Sequence, residues 1–138
     1  MIVRISEKLE QEWLSAAIAR LPLECCGVVY GKETEGFLDV ESFGIIRNAA
    51  TSPENRFAFH PEDWVAVFSE AQQNQRDIVG FFHSHPEGPL LPSKQDDDGS
   101  LPWRTYWIVG ISSVDRAISA FRRHPTDGRW LPQRIERV

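Results

Sequence analysis

At 138 residues and 15.8 kDa the chain has the length of one domain, able to bury a core without disulfide staples. Hydrophobic residues make up 41% and charged residues 25%, an ordinary globular balance with no apolar run long enough to span a membrane. The formal charge of −5, with dispersed basic residues, excludes broad electrostatic attraction to nucleic acid.

The opening MIVRISEKLEQEW lacks the apolar core of a signal peptide, so a cytoplasmic location is expected. MIVRI alternates and reads as a short strand. Ser6 caps a helix over about 7–20, where Leu9, Trp13, Leu14, Ala17, Ile18 and Leu21 recur at helical spacing, and Pro22 closes it. CCGVVYG is a buried strand by length and composition. Its adjacent Cys25 and Cys26 read as small buried hydrophobes, because a disulfide between neighbours is strained and no CxxC partner completes a thiolate zinc site.

GFLDVESFGIIRNAA predicts one or two strands, TSPEN a turn and RFAFH a strand. His60 stands at the entry of a second helix, with Pro61 in its first turn and Trp64, Val67, Phe68 and Ala71 along one face. DIVGFF is a buried strand running into His83. TYWIVGIS and DRAISAFRR read as a strand pair across SVD, HPTDGRW with His124 as a hairpin turn, and GRWLPQRIERV as one last edge strand. With no repeat or linker, residues 1–138 read as a single domain. Its intermixed strands and helices predict an α+β fold, most economically an α/β/α sandwich.

The stretch HSHPEGPLLPSKQDDDGS carries the chemistry. In a strand, His83 and His85 project from the same face and aim their rings at one point. Imidazole is a good zinc ligand, and a carboxylate completes a three-ligand set. Ten residues lie between His85 and Asp96, enough for a stiff loop to bring a helical carboxylate back. Three protein ligands leave a fourth tetrahedral position for water, which distinguishes a catalytic from a structural site. The same residues also read as a plain strand-to-helix turn. Pro86, Pro89 and Pro92 stiffen it, Ser93 caps a helix three residues before Asp96, and the aspartates form a negative first turn. A proton-handling base is needed for the hydrolytic reading, and Glu24, at the mouth of the CCGVVYG strand, is the candidate; its alternative is a solvated turn residue.

Glu24 ahead of CCGVVYG, then HSHP, then PSKQD resembles the JAMM motif of the MPN (Mov34/PAD-1) metalloprotease family. RNAA before RFAFHPEDW, IVGFFHSHP, and WIVGI are similar too, and the compact length resembles stand-alone prokaryotic members. The resemblance implies a cytidine-deaminase-like MPN/JAB fold, with a mixed, mostly antiparallel sheet flanked by two main helices. It implies zinc on His83, His85 and Asp96, Glu24 as general acid/base, and Ser93 donating to the oxyanion. The activity implied is cleavage of a peptide or isopeptide bond after the C-terminal glycines of a ubiquitin-like protein, or of a sulfur carrier of the ThiS/MoaD type. Rivals are a non-catalytic MPN binding module and a zinc hydrolase of a small amide. Two departures stand out. Asp97 and Asp98 follow Asp96 where less charged residues are usual, and the chain lacks the long insertions that position ubiquitin, which argues against classical ubiquitin as substrate.

Overall fold

The computed structural model describes residues 1–93, 103–114 and 116–138. Strand β1 (Ile2–Ile5) passes through Ser6, whose hydroxyl accepts the Leu9 N–H at 3.1 Å, into helix α1 (Glu7–Ile18). Strands β2 (Cys26–Thr34) and β3 (Phe37–Ile46) form an antiparallel pair, so GFLDVESFGIIRNAA supplies one strand. After a loop comes α2 (Pro61–Gln73), whose N-cap is the His60 side chain accepting the Asp63 N–H. Then follow β4 (Ile78–His85), β5 (Thr105–Ile111), β6 (Arg116–Arg123), β7 (Trp130–Pro132) and β8 (Arg134–Arg137).

RFAFH is not a strand. Its backbone makes one isolated bridge, Asn48 to Phe59, and the remainder is loop. The alternation is real but has another cause: Phe57 and Phe59 pack inward while Arg56 and Ala58 face solvent. One-sided burial leaves the same period-two signature as a ladder does.

The strands form one mixed sheet in the order β7-β6-β5-β4-β2-β3-β1-β8, with β1–β3, β1–β8 and β4–β5 parallel and the other pairings antiparallel. Alternate residues serve two cores. Val29 packs with Trp13, Leu14 and Ala17 of α1, whereas Val28 and Tyr30 pack with Ala71 of α2 and the half-buried Trp64 and Val67. The α1 core centres on Trp13, which is fully buried, stacks on Phe43 at 5.6 Å and meets Phe82 edge-on at 5.1 Å. Glu10, also buried, is neutralised by a bidentate bond from Arg137 at 2.8 and 2.9 Å, which ties α1 to β8.

Instead of one edge strand, GRWLPQRIERV makes two. β7 and β8 occupy opposite edges of the sheet with only Gln133 between them, and the Gln133 N–H reaches the Ala120 carbonyl of β6 at 2.8 Å. A single residue bridges the edges only because the sheet curls around α1 almost into a barrel. The flanked sandwich is corrected accordingly. Both helices are present on opposite faces, but the sheet is nearly closed on the α1 side. Among the described residues no helix is long and apolar enough to cross a membrane.

Candidate active site

Strand β4 is buried along its whole length and ends on His83-Ser84-His85. Phe81 belongs to the core beneath α2, so His83 and His85, two and four residues on, share its face. Ser84 turns the other way, where its Oγ accepts the Cys25 N–H at 2.7 Å. His83 Nε2 and His85 Nε2 stand 3.0 Å apart. His85 Nδ1 lies 2.9 Å from the Pro89 carbonyl, which can only accept, so Nδ1 is the donor of that bond and Nε2 is the nitrogen turned toward His83. The chain can double back to make this contact because Gly88 sits at φ +90°, a conformation that favours glycine. On the far side, the Phe57 ring lies on His83 with centroids 4.5 Å apart and planes 14° from parallel. One imidazole is held by a carbonyl and the other by an aromatic face.

Glu24 lies two residues before the neighbouring strand β2. Cys26 pairs with His83, and the Ser84 N–H donates to the Cys25 carbonyl at 2.7 Å, so continuing the register sets Glu24 opposite His85. Glu24 therefore stands at the histidine end of the β2–β4 ladder. Burial is the main cause of the raised Cys26 pKa, with Cys25 and Glu24 adding to it, and Cys26 is the residue directly across from His83. Glu24, His83 and His85 are each no more than 8% exposed. Three buried polar side chains at one strand end are costly unless they are paired or serve chemistry.

Two imidazole nitrogens on one tetrahedral zinc at its usual bond length are about 3.3 Å apart. The observed 3.0 Å needs only a small opening of the rings, so the pair fits such an ion. Among the described residues, no group of three His, Cys, Asp or Glu side chains forms a metal cage. Asp96, the third ligand expected from the sequence, lies outside the described residues, as do Asp97, Asp98 and the helix that Ser93 was expected to cap. Ser93 itself is exposed, beyond a loop anchored by the Ser119 hydroxyl on the Leu90 carbonyl at 2.8 Å.

Cys25 and Cys26 are free and buried. Burial pushes the Cys25 thiol up to about 11, against a smaller opposing effect of Arg20. At pH 8 such a thiol has a thiolate fraction on the order of 200-fold below that of a free cysteine. An aromatic disulfide reagent should therefore titrate no thiols in the native protein and both in denaturant. Prompt modification of the native protein would contradict this burial.

Phe57 and Asn48 fall within RFAFH and GFLDVESFGIIRNAA, stretches whose patterns read as strand and gave neither residue a place at the site.

Residues 6–124 match the family described as prokaryotic homologues of the JAB domain. The chain belongs to that family. The JAB-family span includes Glu24, His83, His85, Ser93 and Asp96. The chain is 33% identical over 104 residues to a desampylase of Pyrococcus furiosus, covering 73% of this chain and 71% of that protein. It is 33% identical over 115 residues to a desampylase of Haloferax volcanii, covering 83% and 80%. The solution structure of a protein from Desulfitobacterium hafniense superposes with a TM-score of 0.84 at 26% identity, over 100% of this JAB-family chain and 93% of that one.

Proposed function

We propose that the chain is a zinc-dependent metallopeptidase that hydrolyses a peptide or isopeptide bond after the C-terminal glycines of a ubiquitin-like or ThiS/MoaD-type sulfur-carrier protein. The observation that carries the reading is the buried His83–His85 pair, with facing nitrogens 3.0 Å apart and the buried Glu24 at the same end of the β2–β4 ladder. The two relatives named desampylases support a hydrolase that takes a conjugate apart.

In this reading His83, His85 and Asp96 hold the metal. When bound, zinc polarises the scissile carbonyl and acidifies the attacking water. Glu24 accepts a proton from that water as its oxygen bonds the carbonyl carbon, and hands the proton to the leaving amine as the C–N bond breaks. Burial of Glu24 keeps bulk water from competing for this transfer. The Ser93 hydroxyl donates to the oxyanion, a contact of a kind typically worth about 3 kcal/mol in the barrier.

Incubation with small ubiquitin-like proteins carrying a C-terminal extension, followed by intact mass, tests this. The expected products are a protein ending in Gly-Gly and the freed extension, absent with chelator and restored by zinc. If no extended ubiquitin-like or sulfur-carrier substrate is cut by the zinc-loaded protein, the peptidase reading is wrong.

A further inference from the structure

The loop from Arg47 to His60 is closed at its neck by backbone bonds from the Ala49 N–H to the Ala58 carbonyl at 2.7 Å and from the His60 N–H to the Arg47 carbonyl at 2.9 Å. Inside it lies the half-buried side chain of Asn48. Its Oδ1 accepts the Ala50 N–H at 3.0 Å and the Ala58 N–H at 3.1 Å. Its Nδ2 donates to the Arg56 carbonyl at 2.9 Å, the Glu24 carbonyl at 3.0 Å and, more weakly, the Pro53 carbonyl at 3.3 Å. With donors on one side and carbonyls on the other, only one orientation of the amide satisfies the ring.

Glu24 is held by this loop at both backbone polar groups. Its N–H donates to the Pro53 carbonyl at 2.7 Å, and its carbonyl takes the Asn48 amide. The same loop carries Phe57, whose ring lies on His83. One side chain therefore sets the distance between the backbone that carries Glu24 and the aromatic plate that carries His83. We propose that Asn48 is the positioning residue that fixes Glu24 against the histidine pair; this rests on the role given to Glu24 above. A carboxylate moved by about 1 Å remains on the protein but no longer meets the proton it must take.

Asn48→Asp separates positioning from loop closure. It keeps an acceptor for the Ala50 and Ala58 amides and loses every bond to the Glu24, Pro53 and Arg56 carbonyls. Asn48→Ala loses both sets. In amide hydrogen exchange on the full chain, the Glu24 amide should exchange at least about tenfold faster in both variants, as expected when an orienting partner is lost. The Ala50 and Ala58 amides should stay protected in Asn48→Asp. Turnover of an extended ubiquitin-like substrate should fall about 10–100-fold in both variants, with KM and zinc per chain unchanged. Unchanged Glu24 exchange in both variants, or a turnover loss matched by zinc loss, overturns the proposal. If the wild-type protein cuts no substrate, the peptidase reading fails on its own, and Glu24 exchange still decides whether Asn48 holds it.

Discussion

Glu24→Gln should keep its zinc and lose its turnover. Glutamine matches glutamate in size and accepts hydrogen bonds, so it occupies the same buried space at the head of β2, beside the Cys26–His83 pair. What it cannot do is take a proton. Positioned acid/base groups contribute about 10²–10⁴-fold, so kcat should drop by that factor at every pH where the protein is folded. Because the substitution leaves both imidazoles in place, elemental analysis should still give about one zinc per chain. KM should change little, since the role proposed for Glu24 is realised in the chemical step. A variant with kcat within a few-fold of wild type would remove Glu24 from the reaction and require another base near His83 and His85.

His83→Ala should lose metal and activity together. The ring stands between Phe57 at 4.5 Å and His85 Nε2 at 3.0 Å, so its removal deletes one nitrogen of the facing pair and leaves a gap beneath the aromatic plate. A zinc left with one imidazole and one carboxylate is short of the three protein ligands a catalytic site uses. Zinc per chain should fall from about one to a small fraction, and cleavage should drop to background. The linkage gives an independent readout: a ligand that binds only the folded state raises apparent stability. Chelator should thus lower the melting temperature of the wild-type protein and leave that of His83→Ala unchanged. By contrast, Cys25→Ser should keep its zinc, because Cys25 packs in the α1 core. Full zinc occupancy in His83→Ala would place the metal elsewhere.

Local chemistry was legible in the sequence. Ser6 caps α1, His60 and Pro61 open α2, and the apolar runs become β2, β4 and β5, because caps, fixed proline φ and periodicity act within a few residues of themselves. The His-x-His spacing likewise needed only the two-residue repeat of a strand to bring both rings to one side. RFAFH misled because its alternation comes from Phe57 and Phe59 packing inward, and a period records burial without recording what does the burying.

Contacts between distant residues were settled only by the tertiary structure. No pattern within CCGVVYG specifies that Cys26 lies across from His83, or that Glu24 thereby comes to the histidine end of the ladder. Nothing in GRWLPQRIERV announces that β7 and β8 part to opposite edges of the sheet, since that depends on how far the whole sheet curls around Trp13 and α1. Asn48 is an unremarkable polar residue until the chain has closed a loop around it and lent it five backbone partners. Short-range propensity sets which elements form. Which elements meet is set by burying apolar faces from the whole chain at once, a free energy that no single window of residues contains.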